Sequence, residues 1–251
     1  MAEKDLSLFR KTFEVNSFLV NFKGQLGLYG ILNALQDAAW GHANVLGFGF
    51  ENISKQSLLW ALTRQKLIIK RWPRWGANIT IETWLRPSEG YVLREFVILE
   101  NNEIIGECST TWLTISAETR RPERFDRSQF DQYCNQRTLS FISPKISAAK
   151  ESEPLMSFDV RNSDIDVNHH VNNTRYAQWI LDSIPHKWHK SYTLNEYEIN
   201  FLAETKLGDH ILIVSNHCES NTEKTRWSQF QGIRQSDQKL VFNARLLITD
   251  N

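Results

Sequence analysis

The residues DIDVNHHVNNTRY, at positions 164–176, stand directly before the amphipathic run AQWILDSIP at 177–185. In this region apolar residues recur at helical spacing, which places Tyr176, Trp179 and Ile180 near one face. The spacing predicts a helix over 171–184 with the polar cluster at its N-terminal end. Unpaired backbone N–H groups and the positive end of the helix dipole favour an anion or a developing oxyanion there. We therefore interpret the stretch as a candidate active site.

Two other interpretations of the stretch need to be weighed. Asp and Asn before a helix are most often a cap and a turn, because their side chains satisfy unpaired N–H groups. A cap needs one such residue, whereas two acids, three amides and two imidazoles fall within ten residues here. A metal site with His169 and His170 as ligands is the second alternative. Adjacent histidines point in different directions, and no HExxH motif or Cys pair supports them, so we predict no metal.

Composition indicates a globular protein and gives no sign of a nucleic-acid partner. The 251 residues are 41% hydrophobic and 23% charged, and 29 Lys and Arg balance 29 Asp and Glu, so we expect no nucleic acid. The three cysteines, Cys108, Cys134 and Cys218, are widely spaced and odd in number, which fits a reducing compartment. The first residues lack the apolar segment of a signal peptide, and no apolar run approaches the roughly 18 residues of a membrane span. We predict a cytoplasmic protein with no stable membrane insertion.

The chain repeats one order of elements: a strand, a helix and four strands. The first copy is predicted as a strand at 13–22, a helix at 28–45 and strands at 58–71, 77–86, 91–100 and 104–115. After a polar linker at 118–153, the second copy is predicted as a strand at 155–161, the helix at 171–184 and strands at 192–205, 210–219, 224–233 and 240–249. Each helix must bury its apolar stripe against a curled antiparallel sheet. The sequence thus predicts an α+β tandem hot-dog fold with domains at 1–145 and 146–251.

The repeat also predicts a division of labour. Before the second helix stand Asp166, Asn168 and His170, whereas before the first helix the residues FKGQLG at 22–27 offer no acid or base. If the polar set only capped this fold's helix, the first copy should carry a similar one. We therefore expect catalysis in the second domain and substrate shaping in the first, where Leu35, Gln36 and Ala39 of the helix are candidates, although they fit ordinary core packing equally well.

Several motifs together resemble one family. The run at 164–182, LWALTRQ at 59–65, RWPRWG at 71–76, TRRP at 119–122 and NEY at 195–197 are similar to the fatty acyl-acyl carrier protein (acyl-ACP) thioesterases of plant plastids and their bacterial relatives. The resemblance implies a tandem hot-dog enzyme that hydrolyses an acyl-ACP thioester to free fatty acid. It also implies that Asp166, Asn168 and His170 are catalytic.

The sequence departs from the plant pattern at one place. A catalytic Glu followed by Cys is expected three residues after the Glu-Tyr pair, where this chain has Asn200 and Phe201. Glu204, four residues on, is the candidate for the missing carboxylate, since residues four apart in a strand face the same side. Asn200 would share that face and could position a water.

The chemistry can be assembled without Cys or cofactor. Asp166 would act as general base or as nucleophile, and the sequence does not choose between them. Asn168 would bond the oxyanion or water, His170 would orient or protonate, and Asn172 and Asn173 would contact substrate. The expected partners are acyl carrier protein and the acyl thioester, in a monomer or a homodimer. Arg64, Lys66 and Arg71, with Lys70 and Arg74, are candidates for docking the acidic carrier protein.

Three rival functions remain open at this point. A hot-dog thioesterase acting on a coenzyme A ester would use the same site chemistry with a different partner. A hot-dog dehydratase would use a His with a single acid, which fits the cluster less well. A non-catalytic acyl-binding module would explain the aromatic-rich interior, but not why only one copy has the acid, amide and imidazole set.

Overall fold

The computed structural model describes residues 5–123, 126, 131–216 and 225–251. The chain forms two compact units. Unit 1 comprises Met1–Thr63 and Lys70–Ser143, and unit 2 comprises Arg64–Ile69 and Pro144–Asn251. The division into domains 1–145 and 146–251 stays a prediction. The two units differ from it because residues 64–69, the second half of one strand, belong to unit 2.

Unit 1 places one long helix against an antiparallel sheet. Its elements are β1 Leu8–Glu14, α1 Leu28–Val45, α2 Phe50–Ser54, the first half of β2 Leu58–Ile69, β3 Asn78–Arg86, β4 Val92–Glu100 and β5 Glu103–Ser116. The strands are ordered β1-β3-β4-β5-β2. Helix α1 has the predicted bounds and buries Ile31, Leu35 and Ala38. Each buried leucine or isoleucine contributes about 1.5–3 kcal/mol, which explains why this periodic stretch forms the core of the unit.

Unit 2 repeats the arrangement. Its elements are β6 Glu153–Asp159, a 3₁₀ turn Asn162–Asp164, α3 Asn173–Asp182, α4 His186–Ser191, β7 Tyr192–Phe201, β8 His210–Asn216, β9 Thr225–Arg234 and β10 Lys239–Asp250. The sheet order, starting from Arg64–Ile69 of β2, is β2-β7-β10-β9-β8-β6. The Tyr176 ring of α3 packs edge-on against Phe201 and Phe242, with centroids 5.3 and 5.5 Å away. The predicted α+β class, with a helix against an antiparallel sheet in each copy, is confirmed.

Several predicted elements have wrong bounds. The first strand lies at Leu8–Glu14 rather than 13–22, because pairing with β3 selects those residues. The apolar side chains that suggested a later strand include Phe18, which is 90% exposed, and Phe22, which is 56% exposed. Helix α3 is shorter than 171–184 because Asn172 caps it. Strand β7 ends at Phe201 instead of continuing to 205. The predicted strands 210–219 and 224–233 include residues 217–219 and 224, which lie outside the described part of the chain.

The predicted linker, 118–153, is divided between the two units after Ser143. Its residues near 137–139 do lie on unit 1, where the Trp84 indole donates to the Arg137 carbonyl (2.7 Å). Residues 144–147, however, belong to unit 2 and are held there by buried amide side chains. We call Asn200, Asn243 and Gln229 the amide ladder. They bond the backbone of Pro144, Ile146 and Ser147 over 2.7–3.1 Å, and Gln229 donates to Asn243 (2.8 Å).

Candidate active site

Three of the predicted site residues alternate in one tight loop, 165–171, which we call the motif loop. An antiparallel bridge between Ile165 and Val171 closes its ends. Inside it, the Asp166 N–H donates to the His170 carbonyl (2.8 Å), and the His169 N–H donates to the Asp166 carbonyl (3.0 Å). His169 has φ +62°, a left-handed conformation that residues other than glycine adopt at a cost. The closed loop therefore fixes the backbone of Asp166, Asn168 and His170.

Both ends of the motif loop are anchored. The Asn172 side chain caps α3 by accepting the Thr174 N–H (3.0 Å), and the Asn172 N–H donates to the Asp164 carbonyl (2.8 Å). The Val171 N–H donates to the carbonyl of Thr205, beyond the end of β7 (2.9 Å). The polar cluster thus lies at the start of a helix, as predicted, and Asn172 performs the capping role.

Asp166 and Asn168 are oriented toward different tasks. Asp166 is half-buried, and its Oδ1 accepts the Asn168 N–H (2.8 Å), so the carboxylate has a fixed direction. The Oδ1 of Asn168 is buried and accepts no hydrogen bond from any residue that the structure describes. A buried acceptor left in this state costs about 1–3 kcal/mol. That side chain is therefore suited to a donor such as water.

His170 faces a carboxylate from a distant segment. Its Nε2 lies 3.2 Å from Oε2 of Glu204, and the two side chains are 16% and 35% exposed. The segment that carries Glu204 is itself fixed, because Arg234 Nη1 donates to the Glu204 carbonyl (2.9 Å) while its other nitrogens bind Asp237. The bond to Asp237 raises the pKa of Arg234 above its ordinary value. The imidazole thus has an oriented acidic partner.

Helix α3 adds a backbone donor and a buried tyrosine. The Asn173 N–H donates to no acceptor in the described ranges, and its side chain is half-buried. In the same helix, burial raises the pKa of the Tyr176 hydroxyl, which therefore stays neutral. Such a site can polarise a carbonyl oxygen at the helix start while His170 and Asp166 handle protons.

The Asn200 side chain bonds none of these groups in the described part of the chain. The argument that put it on one face with Glu204 required a strand through 205, but β7 ends at Phe201. The Asn200 Oδ1 accepts the Ile146 N–H (2.7 Å) and its Nδ2 donates to the Pro144 carbonyl (2.9 Å), as part of the amide ladder. Its side chain is therefore occupied in holding residues 144–147.

The remaining predicted residues lie elsewhere. Leu35 and Ala39 are buried in α1 of unit 1, and Gln36 beside them is half-buried. On β2, Lys66 bonds Glu196 (2.7 Å) and Glu198 (2.9 Å), and Arg64 is half-buried opposite Asn200. In unit 1, Lys70 pairs with Glu107 (3.5 Å), and Arg71 with Glu100 and Glu103, while Arg74 is exposed. Most of the candidate docking charges therefore have acidic neighbours.

Two residues that support the site had no sequence signal. Thr205 holds the motif loop through its backbone, and Arg234 fixes the Glu204 segment from β9. Both act across long chain separations, which spacing along the sequence does not show.

Several other features concern the described residues as a whole. No cluster of three or more His, Cys, Asp or Glu in those ranges could hold a metal ion. No helix among them is both long and apolar enough to cross a membrane. Cys108 is buried and Cys134 half-buried, both as free thiols, and Cys218 lies outside the described residues.

Comparison with known proteins places this architecture in one family. The family model for the acyl-ACP thioesterase N-terminal domain matches residues 7–133, and that for the acyl-ACP thioesterase C-terminal domain matches residues 147–245. The chain is 26% identical to the palmitoyl-acyl carrier protein thioesterase of Gossypium hirsutum, covering 88% of this chain and 57% of that protein. It is also 26% identical to the oleoyl-acyl carrier protein thioesterase of Coriandrum sativum, covering 90% and 67%. The chain thus spans a little over half to two thirds of these relatives' length.

Solved structures share the fold. An acyl-ACP thioesterase from Bacteroides thetaiotaomicron superposes with a TM-score of 0.86 at 22% identity, covering 96% of this chain and 98% of that one. The 12:0-ACP thioesterase from Umbellularia californica gives 0.83 at 21% identity, covering 97% and 94%. These likenesses confirm the tandem hot-dog fold.

Proposed function

Because this chain belongs to the acyl-ACP thioesterase family, we propose that it hydrolyses the thioester of a fatty acyl-acyl carrier protein, ending fatty acid synthesis. Water adds to the thioester carbonyl, the C–S bond breaks, and the products are a free fatty acid and the carrier thiol. The observation that carries the proposal is the contact of 3.2 Å between His170 and Glu204, beside the loop that holds Asp166 and Asn168.

Each residue has a role in this reaction. Asp166 takes the proton from the attacking water or attacks the carbonyl itself, and its fixed carboxylate serves both routes. Asn168, with its buried acceptor, holds the water. His170, oriented by Glu204, delivers a proton to the departing thiolate. The free N–H of Asn173 and the helix dipole stabilise the negative charge that develops on the carbonyl oxygen.

The two domains have different tasks in this proposal. Domain 146–251 catalyses, and domain 1–145 contacts the acyl chain through Leu35, Gln36 and Ala39 of α1. Asn173 remains a substrate contact, whereas the cap made by Asn172 supports a structural role for that residue. Asn200 no longer has a catalytic assignment, since both ends of its amide are bound to backbone.

Acyl carrier protein is the proposed partner, and Arg64, Lys66 and Arg71 are its proposed docking residues. The ion pairs of Lys66 and Arg71 reduce the charge they offer, so each contributes little alone. A cytoplasmic location and a monomer or homodimer complete the proposal.

The test is thiol release from acyl thioesters of C4 to C18 length, each offered on carrier protein and on coenzyme A. We expect release that prefers the carrier-bound series and disappears in Asp166→Asn. Preference for the coenzyme A series would move the protein to the rival thioesterase class. Tight binding without release would identify an acyl-binding module.

A further inference from the structure

The interior of unit 1 contains a buried pair of basic side chains, His42 of α1 and Arg94 of β4. They are 1% and 6% exposed. Arg94 Nη1 donates to Nδ1 of His42 (2.9 Å), so the other ring nitrogen, Nε2, carries the proton and donates to the Leu6 carbonyl (2.9 Å). Burial, followed by the neighbouring charge of Arg94, lowers the pKa of His42 to about 4. The histidine is therefore a neutral acceptor and leaves Arg94 as the only charge of the pair.

Arg94 differs from two other arginines of unit 1, which pair with carboxylates. Arg86 pairs with Glu95 (2.8 Å) and Arg137 with Glu82 (2.6 Å). No carboxylate of the described chain lies within ion-pair distance of Arg94, and burial lowers the pKa of its guanidinium to about 9. A buried cation without an anion is costly, which makes the position unusual.

The guanidinium also has unused donors. Both hydrogen bonds that it donates to described residues leave from Nη1, to His42 and to the Thr83 hydroxyl (3.3 Å). Nε and Nη2 donate to none of those residues. Together these two nitrogens form the planar fork that binds carboxylate and other acceptor oxygens in a bidentate manner.

His42 lies on the face of α1 that is proposed to contact the acyl chain. Along α1, Leu35, Ala39 and His42 are separated by four and three residues, which places them on one side of the helix. All three are buried. An acyl chain that runs along Leu35 and Ala39 would therefore lead toward Arg94.

We propose that Arg94, held by His42, forms a polar subsite in unit 1 that binds an acceptor oxygen carried near the far end of an acyl chain, as a hydroxyl, keto or carboxylate group. The inference rests on the proposed function only in taking this face of α1 as the acyl contact. It identifies the preferred substrates as oxygenated acyl chains rather than plain ones.

The experiment measures binding without hydrolysis. Calorimetry with C8 to C18 fatty acids is compared with calorimetry of ω-hydroxy acids and α,ω-dicarboxylic acids of the same lengths. At one or more lengths the oxygenated acids should bind roughly ten- to a hundredfold more tightly, as a hydrogen bond to a charged group allows. The hydroxy and dicarboxylic series separate a neutral acceptor from an anionic one.

Three variants complete the test. Arg94→Met should abolish the preference, and Arg94→Lys should keep part of it. Arg10→Met is the matched control, because Arg10 pairs with Glu82 at the surface of the same unit, and it should retain the full preference. Circular dichroism checks that each variant is folded, and if Arg94→Met does not fold, the wild-type preference and Arg94→Lys decide.

Equal binding of plain and oxygenated acids by the wild type, binding of neither, or a preference that persists in Arg94→Met would overturn the inference. An inactive protein that prefers oxygenated acids would overturn the proposed function and leave the subsite standing. Thioester hydrolysis by a protein that does not prefer oxygenated acids would leave the proposed function standing and overturn the subsite.

Discussion

The two units place a helix against a sheet in the same way, yet they begin that helix differently. Helix α1 starts after Gly27 with no side-chain cap, and the residues before it hold no acid. Helix α3 starts after the capping Asn172 and follows the loop that contains Asp166 and His170. Since α1 forms without such a set, the fold does not require one. The polar loop is an addition to unit 2 that calls for a functional explanation.

The histidines of the two units show the same contrast. His170 lies beside the carboxylate of Glu204, whereas His42 accepts a hydrogen bond from the cation Arg94. A carboxylate partner lets an imidazole carry and release a proton, but a cationic partner keeps it neutral. The environment of His170 therefore supports the proposed proton transfer in unit 2, and that of His42 supports the proposed positioning role in unit 1.

The largest expected effect tests the motif loop itself. Asp166→Asn keeps an oxygen that can accept the Asn168 N–H, so the loop should fold, but it removes the proposed base or nucleophile. Turnover should fall by roughly a thousandfold, within the usual range for general base catalysis. Steady-state thiol release measures this, with Asp159→Asn on exposed β6 as control. Turnover within a few-fold of wild type would contradict a catalytic role for the motif loop.

The second prediction concerns the buried histidine of unit 1. Its folded pKa of about 4 lies below the ordinary 6.5, so the unfolded chain binds the proton first as pH falls. This group therefore makes stability decline from about pH 6.5 to about pH 4, by about 3 kcal/mol in total. His42→Gln can still donate to Leu6 and accept from Arg94 without titrating. Urea unfolding at pH 7.5 and 4.5 should show a smaller loss for the variant, and an equal loss would contradict a neutral His42.

A third test separates two residues that sequence analysis had grouped in the site. Asn200→Ala breaks both bonds to residues 144–147 and should lower the free energy of unfolding by about 2 kcal/mol, with little effect on kcat. Glu204→Gln keeps the shape but loses the charge beside His170. It should lower kcat roughly tenfold with KM and melting temperature unchanged. A large loss of kcat in Asn200→Ala without a loss of stability would instead support a catalytic role for Asn200.

The smallest effect is expected at the surface charges. Replacing Arg64, Lys66 and Arg71 together by alanine should raise KM for carrier-bound substrate no more than about threefold, because two of them already pair with acids. Coenzyme A substrates serve as the control and should be unaffected. A much larger rise, reduced by salt, would show that these residues dominate carrier docking.

The sequence predicted the parts of the fold that depend on local pattern. The bounds predicted for α1 match the observed ones. Between the predicted strands 91–100 and 104–115, Asn101 and Asn102 have the positive φ values, 52° and 66°, of a two-residue hairpin loop. The first strand was misplaced because exposed aromatic residues such as Phe18 imitate a strand, and only pairing with β3 decides. In the site, the motif loop was predictable from its composition. The hydrogen bonds of the Asn200 side chain to residues 144–147 were not predictable, because they join residues more than fifty positions apart in the chain.

The amide ladder has a consequence for where this polypeptide can be interrupted. Residues 144–147 belong to neither helix nor strand, yet the carbonyls of Pro144, Ile146 and Ser147 and the Ile146 N–H all bond to side chains of the amide ladder. A separately expressed second half that began at residue 146 would lack the Pro144 carbonyl and leave the buried Asn200 amide nitrogen without its acceptor. New termini belong before Pro144, where the ladder remains whole.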